Sequence, residues 1–255
     1  MAESDTRLAA ELARRAGALL LELQRTIGLT GKELGKRGDA DSNALLLSLL
    51  AEHRPDDAVL SEESVDSPAR LAADRVWIID PLDGTREYGM TGRSDWAVHV
   101  ALWQRASETP SGITDAAVAQ PGLAALFSTI GESYAQQSGT TLPDRPVILV
   151  SESRPPSFAA AVAEAVGAEL RPMGSAGAKA MAVLRGDALA YVHAGGQWEW
   201  DSASPVGVVQ AAGLHASRVD GSPLVYNSAH PYLPDLLICG PDRAGELLDA
   251  IAAAE

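Results

Sequence analysis

The stretch Val76-Trp77-Ile78-Ile79-Asp80-Pro81-Leu82-Asp83-Gly84-Thr85 constrains the fold more than any other part of the chain. Four apolar residues, β-branched or aromatic, run straight into a carboxylate, the pattern of a buried strand ending in an acidic turn. Pro81 fixes its own φ and biases Asp80 toward an extended conformation. Asp80 and Asp83 then leave the strand end at i and i+3, with the Leu82 carbonyl between them. Two carboxylates and a backbone oxygen so close together are hard ligands suited to Mg²⁺ or Mn²⁺. Gly84 and Thr85 follow with backbone N–H groups that face a phosphate if the turn opens into a helical turn. Asp, Pro and Gly are also ordinary surface-turn residues, and so short a pattern does not by itself separate the two readings.

At 255 residues the chain can bury a sizeable core, as one large domain or two closely packed ones. No apolar run approaches membrane-spanning length, and Met1-Ala2-Glu3-Ser4-Asp5 lacks the basic-then-apolar order of a signal peptide. The lone Cys239 cannot form an internal disulfide and fits a reducing compartment, so a cytoplasmic protein is expected. A net charge of −14 argues against binding a nucleic-acid polymer. It would also repel a phosphate ester, unless divalent cations reverse the sign locally.

Residues 4–27 carry Leu8, Leu12, Ala16, Leu19, Leu20, Leu23 and Ile27 at helical spacing, stopped by Gly28. Residues 31–39 read as a Gly/Lys/Arg-rich loop, with a second helix starting near Asp41 and ending before Pro55. A short strand over 58–60 leads into Ser61-Glu62-Glu63. Residues 96–104 read as a central strand interrupted only by His99. Residues 116–119 and 123–130 are strand-like around the turn Gln120-Pro121-Gly122. A polar segment, 139–146, marks a boundary between an α+β domain (1–143) and an α/β domain (144–255). In the second half, strands are expected at 147–150, 189–192 and 236–239, and helices at 157–166, 175–184, 202–212 and 244–253. That alternation places the chain in the α/β class.

Three more acidic positions stand beside the central turn: the pair Glu62-Glu63, Asp201 just before the helix at Ser202, and Asp41. Singly they read as a solvated acid pair and two helix caps. Together with the turn, they resemble the lithium-sensitive, Mg²⁺-dependent phosphatase superfamily. It contains inositol monophosphatases, fructose-1,6-bisphosphatases and 3′(2′),5′-bisphosphate nucleotidases. Asp80-Pro81-Leu82-Asp83-Gly84-Thr85 is similar to its D-P-[IL]-D-G-T signature. Glu62-Glu63 is similar to its upstream acid pair, and Trp200-Asp201-Ser202-Ala203-Ser204 to its W-D-x-A-[AS] motif. Ser61 before the acid pair and Arg86-Glu87-Tyr88 after the signature resemble the bacterial bisphosphate nucleotidases most. The family's V-T-x-A-D segment is represented by Arg37-Gly38-Asp39-Ala40-Asp41, without the threonine.

The resemblance implies a layered αβαβα sugar-phosphatase fold. It also implies a metal centre of two or three Mg²⁺ ions (Mn²⁺ substituting) on Glu62, Asp80, the Leu82 carbonyl, Asp83 and Asp201. Gly84 and Thr85 would hold the phosphate, and Asp41 with the Thr85 hydroxyl would orient or deprotonate the attacking water. The implied reaction converts adenosine 3′,5′-bisphosphate to AMP and phosphate, a step linked to sulfate assimilation. Inositol-1-phosphatase or fructose-1,6-bisphosphatase activity is the alternative within the class, and a non-catalytic metal- or phosphate-binding regulator the alternative outside it. Ser175 and Lys179 are the candidates for the rest of the substrate, although a helix-start cap with a solvated lysine explains the same residues. The family habit also implies a homodimer, with strands near 96–103 and 123–130 close to the two-fold axis. His53, His99, His193 and His215 read as structural or surface residues.

Overall fold

The computed structural model describes residues 4–133 and 145–254. The apolar pattern of the N-terminal segment becomes α1 (Asp5–Thr26), capped by the Ser4 hydroxyl. It lies beside α2 (Gly31–His53), which runs without a break through the segment read as a basic loop. Six strands then form the first sheet in chain order: β1 (Ala58–Ser61), β2 (Arg75–Asp83), β3 (Ala97–Gln104), β4 (Ile113–Gln120), β5 (Ala125–Ser128) and β6 (Gly131–Ser133). Only β1 and β2 are parallel. A single turn of helix, α3 (Thr85–Tyr88), follows β2.

The second half supplies β7 (Val147–Ser151), α4 (Ala159–Ala165), β8 (Glu169–Met173), α5 (Ala176–Leu184), β9 (Ala190–Trp198), α6 (Glu199–Ala211), β10 (His215–Ser217), β11 (Tyr232–Cys239) and α7 (Ala244–Ala254). Its sheet has the order β10-β11-β9-β7-β8, with β7, β8 and β9 parallel. The expected strands and helices are present. β8 and β10, which sequence reading passed over, are short strands at the two sheet edges. The expected domain boundary falls largely outside the described residues.

Side-chain alternation sorts the strands into layers. On β2, Trp77 and Ile79 pack with α1 and α2, while Val76 and Ile78 face the opposite side, where α5 and α6 lie. On β7, Val147 and Leu149 face that same middle layer, while Ile148 and Val150 pack against α4 and α7. Five layers result, helix–sheet–helix–sheet–helix, as the αβαβα expectation requires. The β3 residues are buried within the chain between helices on both faces, so their apolar character needs no partner subunit to explain it. No helix among the described residues is long and apolar enough to cross a membrane.

Candidate metal centre and active site

Sequence spacing alone would send Asp80 and Asp83 to opposite faces of β2, because side chains alternate along a strand. A β-bulge reverses this. Asp80 pairs with His99 and Asp83 with Ala97, so three steps on β2 match two on β3. The extra residue brings both carboxylates to the face turned toward the middle layer. Pro81, which has no N–H to offer a ladder, sits inside the irregularity. The strand thus continues to Asp83 instead of ending at Asp80. Gly84 follows at φ 88°, where a side chain would also crowd the Asp95 carbonyl and the Ser175 side chain, so glycine is required there.

Asp201 comes from the other half. It is the third residue of α6, which begins at Glu199 rather than at Ser202. The Trp198 N–H donates to Asp201 Oδ2 at 2.6 Å, fixing the carboxylate at the helix entrance. Asp80, Asp83 and Asp201 each offer an oxygen, all within 4.8 Å of one another. Glu62, at the end of β1, lies against Asp80 and completes an acidic cluster.

The electrostatics are those of crowded buried acids. Burial and the neighbouring Glu62 and Asp83 charges push the Asp80 carboxyl well above its ordinary range. Burial, then Asp201, raises Glu62 to about 8, and burial, then Asp83, raises Asp201 to about 6. Asp83 is the exception. Burial acts to raise it too, but the adjacent His99 ring, the Lys179 charge and the Ser175 hydroxyl hold it at about 2. Its Oδ2 accepts from Ser175 Oγ at 2.5 Å and the Gly177 N–H at 2.7 Å, with His99 Nε2 at 3.2 Å. Asp80 Oδ2 is buried with no hydrogen-bond partner. A buried carboxylate oxygen left bare among other acids, in an all-oxygen donor set, fits a hard divalent cation.

The remaining site residues are placed as follows. Thr85 Oγ1 lies 3.2 Å from Asp39 Oδ1 and 3.1 Å from the Leu82 carbonyl oxygen. Asp39, and not Asp41, therefore meets the threonine. Because 31–53 is one helix, residues two apart point about 200° away from each other, and only one of the two acids faces the site. Asp41 instead pairs with Arg37 at 2.6 Å on the outer face. Burial, with the Glu63 charge, lifts Asp39 to about 7 against the Thr85 hydrogen bond. Ser42 Oγ donates to the Pro81 carbonyl at 2.7 Å, and Asn43 Oδ1 accepts from Ser61 Oγ at 2.8 Å. These bonds tie α2 to both acidic segments.

Ser175 caps α5 through the Ala178 N–H at a strained φ of 48°. Lys179 is not solvated: it is 4% exposed, and its three N–H groups meet the Met173, Gly174 and Ser175 carbonyls. Burial lowers it to about 8. Both residues border a crevice of about 300 Å³ between Thr85-Arg86-Glu87 and the loops that follow β7 and β8. This is the switch point of the second sheet, where β7 has β9 on one side and β8 on the other. Arg154 stands in the β7 loop, exposed, and its guanidinium has no ion pair among the described residues. Its charge reaches the Tyr191 and His193 side chains.

Sequence reading did not single out Asp39 or Arg154, and it read His99 only as a structural or surface residue. His99 had a usable signal, as the one polar residue in an apolar strand, on the same face as Ala97 and Ala101. It is fully buried, with Nδ1 3.1 Å from the Trp200 carbonyl oxygen, so it joins Asp83 to the start of α6.

The 3′-phosphoadenosine 5′-phosphate phosphatase of Mycobacterium leprae is 53% identical over 97% of this chain and 93% of its own. The 3′(2′),5′-bisphosphate nucleotidase CysQ of Escherichia coli is 27% identical over 88% of this chain and 94% of its own. The crystal structure of CysQ from Bacteroides thetaiotaomicron superposes with a TM-score of 0.77 at 22% identity, covering 92% of this chain and 97% of that one. A profile of the inositol monophosphatase family matches residues 1–253, and with the acidic cluster in the place its motifs require, the chain belongs to the inositol monophosphatase family.

Proposed function

We infer that this protein is a Mg²⁺-dependent phosphatase that removes the 3′-phosphate of adenosine 3′,5′-bisphosphate, giving AMP and phosphate, a step linked to sulfate assimilation. The observation that carries the reading is the 53% identity, across nearly the whole chain, to a phosphatase named for that substrate. The oxygen-only cluster supports the metal dependence.

Asp80, Asp83 and Asp201, with Glu62 and the Leu82 carbonyl, would hold two or three Mg²⁺ ions, Mn²⁺ being a substitute. Such ions, when bound, acidify water, clamp phosphate oxygens and stabilise a leaving alkoxide. The Gly84 and Thr85 N–H groups, at the entrance of α3, bind the phosphate to be removed. Asp39 and Thr85 orient the attacking water, and Asp39, raised to about 7, takes its proton near neutral pH. The switch-point crevice takes the distal part of the substrate, with Arg154 supplying the charge for the second phosphate. Ser175 and Lys179 act from the crevice wall, Ser175 by holding Asp83 and Lys179 by fixing the loop carbonyls.

The test is a kcat/KM profile over adenosine 3′,5′-bisphosphate, inositol 1-phosphate and fructose 1,6-bisphosphate, with Mg²⁺ and with excess chelator. The nucleotide is expected to be preferred by at least about tenfold, the worth of one charge-assisted contact. Chelation is expected to abolish turnover. Preference for inositol phosphate would replace the nucleotidase reading, and full activity in chelator would remove the metal mechanism.

A further inference from the structure

A second bulge lies at the far end of β9. Leu233 and Asp235 on β11 pair with Gln197 and Ala194 on β9, so β9 carries one extra residue there. Gly195 and Gly196 adopt φ of 94° and 93°, a conformation that side chains disfavour. A Cβ on Gly196 would also lie 2.0 Å from the Tyr232 hydroxyl oxygen, so the tyrosine rests directly over this backbone. The bulge leads directly into Trp198, whose backbone lies beside the acidic cluster. Its N–H holds Asp201, and its indole stacks on Trp200 at 5.3 Å and 15°. His230 and Tyr232 meet the same indole nearly edge-on at 5.6 and 5.8 Å, and stack on each other at 19°. Four rings thus brace one another, yet Trp198 remains 40% exposed and Tyr232 43%.

Surface aromatic residues are common, but these have a particular address. β7, β8 and β9 are parallel and β11 runs against β9, so the ends of the first three and the start of β11 share one sheet edge. That edge holds the switch-point crevice, Arg154 and the Trp198–Tyr232 cluster. Ring flatness and bracing matter chemically, because a pre-ordered aromatic face binds a planar heterocycle without first paying for its own immobilisation.

We propose that Trp198 and Tyr232 form the stacking surface for the planar base of a nucleotide substrate whose 3′-phosphate lies at the acidic cluster. The inference rests on the nucleotidase reading above and deepens it. A phosphate ester without a base has nothing to place against these rings, so the platform separates nucleotides from sugar and polyol phosphates. The Trp198 backbone bond to Asp201 needs no particular side chain, so truncating the indole removes the stack and leaves that bond available.

The experiment measures KM and kcat for adenosine 3′,5′-bisphosphate and for β-glycerophosphate, a monoester without a ring, in wild type and in Trp198→Ala, Trp198→Phe and Tyr232→Ala. Trp198→Ala is expected to raise KM for the nucleotide about tenfold more than for β-glycerophosphate, at the lower end of what base–aromatic stacking supplies. Trp198→Phe should recover most of the difference. Tyr232→Ala, at an exposed position, should shift the same ratio in the same direction and serves as the readout if Trp198→Ala does not fold. Equal losses on both substrates in these variants overturn the platform while leaving the nucleotidase reading intact. A wild-type enzyme that favours β-glycerophosphate overturns both.

Discussion

The two bulges do parallel work with different chemistry. In β2 the extra residue sits at Pro81-Leu82 and turns two carboxylates to one face. In β9 it sits at Gly195-Gly196 and sets the approach to Trp198 and Asp201. Around the first, every notable side chain is an acid or a group that holds one. Around the second, rings and an arginine with no ion pair among the described residues stand at the sheet edge. The comparison suggests a division of labour. On the proposed function, the wall built from β1, β2 and α2 would perform the chemistry, and the edge formed by β7, β8, β9 and β11 would select what is brought to it. Asp201 and His99 join the two, Asp201 by entering the acidic cluster from α6 and His99 by spanning Asp83 and the Trp200 carbonyl.

The sharpest way to break the comparison is in α2. Asp39→Asn keeps the shape beside Thr85 but removes the base, and kcat should fall about a hundredfold or more, the usual scale for a general base. KM should move little. Asp41→Asn, two residues on, breaks only an exposed pair with Arg37 and should leave both constants within about twofold. Steady-state kinetics on the two purified variants decides the assignment. The opposite ranking would return the role to Asp41.

Asp39 also shows what was legible in the sequence and what was not. The acidic turn, Glu62 and Asp201 were legible only together, through their resemblance to the family's motifs, since singly Glu62 and Asp201 read as a solvated acid and a helix cap. The structure brings Asp80, Asp83 and Asp201 within reach of one ion. The alternating strands and the α1 stripe could be read from their periods. The start of α2 could not, because Gly31, Gly35 and Gly38 argue for a loop, each interior glycine costing a helix about 1 kcal/mol. Their reason is tertiary. A Cβ on Gly35 would lie 2.7 Å from the Thr85 methyl, and one on Gly38 would lie 2.8 Å from the Tyr88 ring. These glycines let α2 approach the acidic turn closely enough for Asp39 to reach Thr85. The burial of Lys179 was hidden for a related reason. This residue follows a glycine-rich turn as a solvated lysine would, and only packing reveals that Tyr191 lies 4.9 Å beneath its ammonium and that backbone carbonyls accept its hydrogen bonds. Nor does sequence show that Arg154, among the described residues, lacks the carboxylate partner that most other arginines here possess.

Arg154 sharpens the comparison from the other side, with a smaller effect. If the second sheet's edge selects the substrate, Arg154→Ala should raise KM for adenosine 3′,5′-bisphosphate about tenfold, as expected for one charge-assisted hydrogen bond. The KM for β-glycerophosphate should change much less, and kcat should fall less than KM rises. Initial-rate measurements on both substrates test this. An equal loss on the two would place Arg154 outside the substrate's reach.

The smallest expected effect concerns stability, and it tests whether the acidic wall is built for cations at all. Asp201 and Asp39 are raised to about 6 and about 7 in the folded protein, from ordinary unfolded values near 4. The folded state therefore binds more protons than the unfolded state between about pH 4 and 7, so stability must fall as pH rises through that window. In excess chelator the melting temperature should drop by several degrees between pH 5 and pH 8, since about 1 kcal/mol moves a chain of this size by roughly 2–4 °C. Mg²⁺ opposes the loss only where the carboxylates are ionised, so its stabilisation should be large at pH 8 and nearly absent at pH 5. Circular-dichroism melts across this range, with and without Mg²⁺, supply the measurement. A chelated protein whose melting temperature is flat or rises from pH 5 to 8 would mean that burial and the neighbouring charges do not hold Asp201 and Asp39 above their ordinary range.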